Sequence, residues 1–162
     1  MKRILLIQPP LQDFYTTPIR LYPLGLLSVA SVLKTCGFQV EILDCLTPLR
    51  PKAWPLPEKF SYLKPYLGQP HFFKRYQHFG WPVEKVVARV GERCPDLVAL
   101  NCSFAAYFST AAELILAIKR KYGMPVMVGG NQATCCREEI RSRLPEIDYV
   151  LAGPAVIGLA YD

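Results

Sequence analysis

The sequence predicts an α/β fold built on a parallel sheet, and three observations support this prediction. Short apolar runs recur along the chain, most of them without alternation, which is typical of parallel strands that helices cover on both faces. Amphipathic segments separate these runs, and glycine or small polar residues follow several of them. This order implies right-handed crossovers and a doubly wound, five-stranded parallel sheet in the flavodoxin-like order 2-1-3-4-5. The predicted strands are residues 3–7, 40–43, 97–100, 126–128 and 149–151.

The first predicted helix follows a long loop, residues 9–22, at the carboxyl end of the first strand. Loops of that length inside a domain are uncommon unless they are functional. Pro23 suits the first position of the helix, and Gly37 suits the left-handed position after it. Phe38 can then fold back on Leu33 in a Schellman motif. The helical spacing predicts a core-facing stripe of Leu26, Leu27, Ala30 and Leu33.

Three further helices are predicted between the later strands. Pro82 opens the second, whose stripe is Val83, Val86, Val87 and Val90. Thr110 and Glu113 have the spacing of a capping box for the third helix, which ends before Gly123. A short fourth helix is expected at about residues 135–144.

Residues 45–81 interrupt this pattern and are expected to form an irregular insertion. The segment has six Lys and Arg residues against Glu58 alone, so it carries +5 of the chain's net charge of +6. Linkers and disordered tails are poor in aromatic residues, whose surface drives burial. We therefore expect the insertion to pack on the ligand side of the sheet or against another domain. Its aromatic residues are Trp54, Phe60, Tyr62, Tyr66, Phe72, Phe73, Tyr76, Phe79 and Trp81.

Candidate functional residues lie where the strands end, because ligands of open parallel sheets bind beyond the carboxyl ends at the point where the strand order reverses. The first strand is followed by Gln8, Pro9 and Pro10, and the central strand by Asn101, Cys102 and Ser103. The fourth strand is followed by Gly129 and Gly130. Paired glycines let a ligand approach the backbone, although a tight turn into the next helix explains them equally well.

Several classes of function are disfavoured by the same residues. The turn after the first strand has no glycine, which excludes a dinucleotide fingerprint and a Walker loop. It also lacks the acidic residues that would hold a divalent cation. Both histidines, His71 and His78, lie in the insertion, so a Ser/His or Cys/His pair at the strand ends is not expected. We predict no catalytic residues and no metal ligands in this chain.

The composition suits one domain over residues 1–162 in the cytoplasm. No apolar run approaches the ~18 residues of a membrane span, so no membrane association is expected. The six cysteines lack metal-knuckle spacing, and we expect all of them to be reduced.

As an ordered set, the motifs of this chain resemble the amino-terminal cobalamin-binding domain of radical S-adenosylmethionine enzymes. The resemblance covers nearly the whole chain except the insertion, and it implies the Rossmann-like cobalamin-binding fold. The motifs are ILLIQPP at 4–10, YPLGLL at 22–27, GFQV at 37–40 with Asp44, PDLVAL at 95–100, PVMVGG at 125–130 and DYVLAG at 148–153.

The resemblance implies that cobalamin binds with its nucleotide tail in the crevice at the strand ends. Gly129 and Gly130 match the Gly-Gly of the wider cobalamin class, and Asn101 stands at the Ser of its Ser-x-Leu motif, with Ser103 in place of the Leu. The Asp-x-His-x-x-Gly motif is missing, as is usual in the radical enzymes, so binding is expected to be base-off and without a protein histidine. The implied cofactor-binding residues are Gln8, Pro9, Pro10, Asn101, Cys102, Ser103, Gly129, Gly130, Asn131 and Gly153.

Two departures from the family pattern bear on the rest of the protein. Residues 152–155 are Ala-Gly-Pro-Ala rather than the acidic Gly-Glu-Gly-Glu, and the Cys-x-x-x-Cys-x-x-Cys motif is absent. A 4Fe-4S cluster and S-adenosylmethionine are thus expected only in a C-terminal radical SAM domain of the same, longer polypeptide. That full-length protein would perform methyl transfer or related radical chemistry.

Two alternative functions remain open at this point. The chain could be a degenerate copy that lost cobalamin and serves docking or substrate recognition. It could also bind nucleic acid through the basic, aromatic insertion, which combines phosphate contacts with stacking surfaces. We regard nucleic acid as the less favoured partner.

Overall fold

The computed structural model describes residues 1–14, 23–46 and 51–154. The predicted loop 9–22 therefore lies partly, and residues 155–162 lie wholly, outside the described residues. The strands are β1 (Arg3–Gln8), β2 (Leu11–Asp13), β3 (Gln39–Asp44), β4 (Lys52–Ala53), β5 (Gln77–Phe79), β6 (Leu97–Asn101), β7 (Val126–Gly129) and β8 (Tyr149–Leu151). The helices are α1 (Leu24–Thr35), α2 (Val83–Arg93), α3 (Phe108–Tyr122), α4 (Asn131–Cys135) and α5 (Arg137–Arg143).

The main sheet has five strands in the order β3-β1-β6-β7-β8, and all its neighbouring strands are parallel. Counted along the chain, this is the predicted order 2-1-3-4-5, so the predicted fold class is confirmed. The order reverses between β1 and β6, where Ile7 pairs with Leu100. Asn101 pairs with Gly129 on the next strand, which brings the polar end of β6 beside the glycines of β7.

The two faces of this sheet are covered differently. Val98, Leu100 and Val128 belong to a large core with residues of α2, α3, α4 and α5. On the other face, a smaller core joins Ile4 and Leu6 to the buried residues of α1. The central strand alternates between buried and half-buried residues, so the expectation that both of its faces are fully buried is wrong.

The end of α1 has the predicted Schellman geometry. Gly37 has a φ of 84°, the Gly37 amide donates to the Lys34 carbonyl, and the Phe38 amide donates to the Leu33 carbonyl. In the stripe, Leu27 is 49% exposed, so its predicted place in the core is wrong. Leu26 and Leu33 already fill the helical face that meets the sheet.

Two helix starts differ from the sequence-based expectation. α3 begins at Phe108 with no side-chain cap, and Thr110 is buried inside the helix, so the predicted capping box does not form. A short 3₁₀ turn at Ala105–Tyr107 leads into this helix instead. The predicted fourth helix starts earlier, at Asn131, and is divided at Cys136 into α4 and α5. In both places tertiary packing overrides the local capping and helix signals.

The insertion is more regular than the sequence indicated. β2, β5 and β4 form an antiparallel sheet, and Glu58–Tyr66 forms a 3₁₀ segment. β2 follows β1 closely, so this small sheet lies beyond the carboxyl end of the main sheet. The Trp81 amide donates to the Cys45 carbonyl, and the Cys45 amide donates to the Gln8 carbonyl, which joins the insertion to that edge.

No helix in the described ranges is both long enough and apolar enough to cross a membrane.

Candidate functional site

A groove of about 780 Å³ lies beside α1, over the face of the sheet that the smaller core leaves half-covered. It runs from Asn101 at the carboxyl end of β6 to Leu97 at its beginning, roughly 13 Å at about 3.3 Å per residue. Its volume falls in the range of small-molecule sites, about 300–1,000 Å³. Most of the lining is aliphatic, and the apolar residues of its floor and walls include Ile4, Leu6, Leu26, Val29, Leu33, Phe38, Leu97, Ala99, Met127 and Leu151.

The carboxyl end of the groove is polar. The Asn101 side chain donates from Nδ2 to Gln8 Oε1 at 2.8 Å, and Asn101 Oδ1 accepts from Ser103 Oγ at 3.0 Å. These three residues come from the ends of β1 and β6, which the sheet register places side by side. The structure thus brings Gln8, Asn101 and Ser103 into one hydrogen-bonded set, with Asn101 lining the groove.

The two glycines after β7 differ in what they allow. Gly130 has a φ of 114°, and a Cβ added there would lie 2.6 Å from the Cys102 carbonyl oxygen and 2.8 Å from Asn101 Oδ1. A Cβ at Gly129 would meet nothing closer than Leu151 Cβ, at 3.8 Å. The turn itself therefore requires a glycine at position 130. This agrees with the alternative explanation of the glycine pair, a tight turn into the next helix. A Cβ at Gly129 would make only ordinary van der Waals contact, and without one the backbone at the end of β7 is accessible from the groove.

Thr134 joins two loops at the same end of the groove and was not anticipated from the sequence. Its Oγ1 donates to the Gly130 carbonyl and accepts from the Gly153 amide, both at 3.0 Å. The side chain thereby holds the residues after β8 against the turn after β7. Nothing in the sequence distinguishes this threonine from others near the start of a helix, so only the structure reveals its role.

Gly25 and Ser28 also line the groove, from the first turns of α1. Gly25 lies in the YPLGLL motif, which supported the resemblance without a role for any one residue. The available signal was the place of that motif at the start of the helix after β1, which puts it at the carboxyl edge of the sheet. A Cβ at Gly25 would meet nothing within 4 Å, so packing does not require the glycine.

The remaining predicted site residues divide into two sets. Asn131 and Gly153 line the groove with Asn101, Gly129 and Gly130. Pro9, Pro10 and Cys102 are buried and are not among its lining residues. Burial raises the pKa of the Cys102 thiol to about 11, so at neutral pH it is an uncharged packing group.

Neither histidine lines the groove. His71 is exposed in the insertion, whereas His78 is 4% exposed on β5. The ring of His78 lies 4.9 Å from that of Trp54, and its Nε2 is 3.1 Å from the Trp81 carbonyl, to which it must donate. Within the described ranges, no cluster of three or more His, Cys, Asp or Glu residues could hold a metal ion. The six cysteines, all within the described ranges, form no disulfide with one another.

The family model described as the B12 binding domain matches residues 60–160 of this chain. The chain therefore belongs to the B12-binding domain family. Cobalamin is therefore the ligand for which this domain family is named.

Two solved structures are similar to the chain in fold. A novel cobalamin-binding protein from Desulfitobacterium hafniense DCB-2 aligns over 98% of this chain and 56% of its own, with 17% identity and a TM-score of 0.57. The anti-anti-sigma factor PhyR from Bartonella quintana aligns over 98% of this chain and 46% of its own, with 13% identity and a TM-score of 0.50. The chain thus spans about half the length of either protein. No curated protein matches the sequence.

The groove residues fit the nucleotide tail of cobalamin, which ends in a flat base joined to a ribose and a phosphate. Because Gly129 has no side chain, a group can come close to the backbone there, and the aliphatic floor suits an apolar ring. Asn101, Asn131 and Thr134 place polar groups at the carboxyl end of the groove, where they could pair with a sugar. Asn101, Gly129 and the residues around them would thus hold the tail.

Proposed function

We propose that this chain is the cobalamin-binding module of a longer radical SAM enzyme and that its groove receives the nucleotide tail. Cobalamin would bind base-off, with no histidine of the protein on the cobalt. When bound, it supplies a cobalt centre for methyl transfer or related radical chemistry, which a C-terminal radical SAM domain would carry out. The radical SAM context rests on the motif resemblance, because the chain spans only part of its structural relatives.

The observation that carries the tail-binding proposal is the open, aliphatic groove next to Gly129. A ligand tail that enters from the carboxyl edge would pass the polar set of Gln8, Asn101 and Ser103 before it reaches the apolar floor. The histidine-free mode is supported by the residues after β1, Gln8, Pro9 and Pro10, which include no histidine. His78 is 4% exposed, and its Nε2 is already bonded to the Trp81 carbonyl.

The proposal is tested by equilibrating the purified protein with hydroxocobalamin and following the absorption spectrum. Free cobalamin is base-on at neutral pH, so a base-off spectrum that survives gel filtration supports the tail leaving the cobalt for the groove. Gly129→Val should weaken binding roughly ten- to a hundred-fold, since overpacking costs about 1–3 kcal/mol. Gly129→Ala, with a single added carbon, is the matched control and should weaken it less.

Two results would contradict parts of the proposal. A base-on spectrum in the bound state would mean that the tail stays outside the groove. Failure of the wild-type protein to retain cobalamin, even with a C-terminal domain supplied, would favour the degenerate alternative.

A further inference from the structure

Among the described residues that line the deep part of the groove, no side chain could pair with a polar ligand atom. Beyond Asn101, the side chains of its sheet floor are Ile4, Leu6, Leu97, Ala99 and Met127. The strands that carry them, β1, β6 and β7, are all interior strands of the sheet. Their backbone amides and carbonyls therefore pair with neighbouring strands on both sides.

The wall formed by α1 is equally poor in partners. Leu26, Val29 and Leu33 face the groove from this helix. Ser28 is the polar residue of the wall, and its hydroxyl donates to the Leu24 carbonyl at 3.0 Å. Ser28 also lies in the second turn of α1, near the carboxyl edge of the sheet and away from the deep part of the groove.

The polar groups of the groove are concentrated at its mouth. Asn131, Thr134 and Asn101 all lie at the carboxyl ends of β6 and β7 or just after them. Because the base is the terminal group of a cobamide tail, the ribose and phosphate occupy the mouth when the base reaches the floor. This step rests on the proposed function, since it requires the tail to enter this groove.

We infer that the groove selects cobamides whose lower base is apolar, as 5,6-dimethylbenzimidazole is, over those that carry adenine. The benzimidazole ring presents two methyl groups and aromatic carbons to Ala99, Leu97 and Met127. Adenine would bring an amino group and ring nitrogens to the same place, where each loses water without gaining a partner. The discrimination therefore comes from unpaired polar atoms of the wrong ligand.

The experiment compares the affinities of the wild-type protein for cobalamin, adeninyl cobamide and cobinamide, which lacks the nucleotide tail. Binding is measured by calorimetry and by the absorption spectrum, with no catalytic assay. Cobalamin is expected to bind at least about ten-fold more tightly than adeninyl cobamide, which corresponds to about 1.4 kcal/mol. Cobinamide should bind more weakly than cobalamin, because it cannot use the groove.

A pair of variants tests the same inference from the side of the protein. Met127→Gln places an amide in the groove at nearly unchanged length, whereas Met127→Leu keeps the position apolar. We expect Met127→Gln to reduce the preference for cobalamin about five-fold, the effect of one added hydrogen bond. Met127→Leu should leave the preference unchanged.

The possible failures are distinguishable. Equal affinity for cobalamin and adeninyl cobamide, with both tighter than cobinamide, overturns the selectivity while tail binding in the groove stands. Cobinamide binding as tightly as cobalamin overturns both, because the tail would then contribute nothing. Loss of all binding overturns the proposed function itself.

Discussion

Asn101 Nδ2 donates a hydrogen bond of 2.8 Å to Gln8 Oε1, across a sequence separation of 93 residues. The bond joins the ends of the first and central strands at the point where the strand order reverses. With the bond from Ser103 to Asn101 Oδ1, it holds the mouth of the groove in one arrangement. Both hydrogen bonds are part-buried, so the loss of either one would leave a polar atom without a partner and lower the stability of the protein.

Replacement of Asn101 by alanine removes both hydrogen bonds at the mouth of the groove. We expect a loss of about 1–2 kcal/mol in the free energy of unfolding and weaker retention of cobalamin. Urea unfolding and cobalamin titration measure the two effects. Ser109→Ala, at an exposed position of α3, is the control and should change neither. An unaltered Asn101→Ala protein would mean that the mouth is organised by other contacts.

The two glycines after β7 are expected to respond differently to alanine. Gly130→Ala should cost about 1–3 kcal/mol of stability, because Gly130 has a positive φ and its Cβ would meet the Cys102 carbonyl. Gly129→Ala should leave the melting temperature nearly unchanged. Gly130→Val will therefore disturb the turn itself, so Gly129 is the position that tests ligand contact. Equal destabilisation by the two alanine variants would refute this distinction.

The histidine variants test the axial position of cobalamin. His71→Ala should leave the spectrum of bound cobalamin unchanged, because His71 is an exposed residue of the insertion. His78→Gln, which keeps a donor near the Trp81 carbonyl, should also leave it unchanged, although His78 is buried and its replacement will lower stability. A changed cobalt spectrum in either folded variant would show that the histidine coordinates cobalt or lies beside it.

Stability at low pH is expected to depend on Asp148. Burial acts to raise the pKa of this carboxyl, but hydrogen bonds from Lys119 Nζ and the Val126 amide outweigh it and lower the pKa. A lowered native pKa contributes stability above the unfolded value of about 3.9, and this contribution is lost as the pH falls through the native pKa. Between about pH 6 and pH 3, the wild type should thus lose more stability than Asp148→Asn. Thermal unfolding at both pH values measures the difference, and Glu146→Gln, an exposed carboxylate, serves as the control.

The basic residues of the insertion are expected to serve an anionic substrate or a neighbouring domain rather than nucleic acid in general. Lys74 and Arg75 are exposed and have no ion pair among the described residues. The neighbouring rings of Phe72 and Phe73 meet at 67°, an edge contact that does not offer parallel faces for successive bases.

Arbitrary single-stranded RNA should therefore bind weakly at physiological salt, as measured by fluorescence anisotropy over a range of salt concentrations. Lys34→Ala and Arg143→Ala, in exposed positions outside the insertion, are the controls for charge removal. Micromolar binding that is lost in Lys74→Ala/Arg75→Ala but kept in the controls would support the nucleic-acid alternative instead.

The sequence alone was sufficient for the main sheet and its strand order, because largely apolar strands alternating with amphipathic helices leave few topologies. It also placed Asn101, Gly129 and Gly153 at strand ends, where the structure makes them line one groove. The sequence did not predict the roles of residues that depend on packing between distant elements. Thr134 acts through Gly130 and Gly153, and Cys102 turns away from the groove into the core.

The local periodicity of this chain determined the five strands of the main sheet and most of the helices that cover them, and the motif order determined the class of ligand to expect. The tertiary structure decided which face of the sheet is open, which glycine the turn requires and which residues form the floor of the groove. The physical reason is that apolar periodicity records how each segment is buried but not which segment buries it. Ala99 and Val98 are both apolar residues of β6, yet one faces the groove and the other lies in the core.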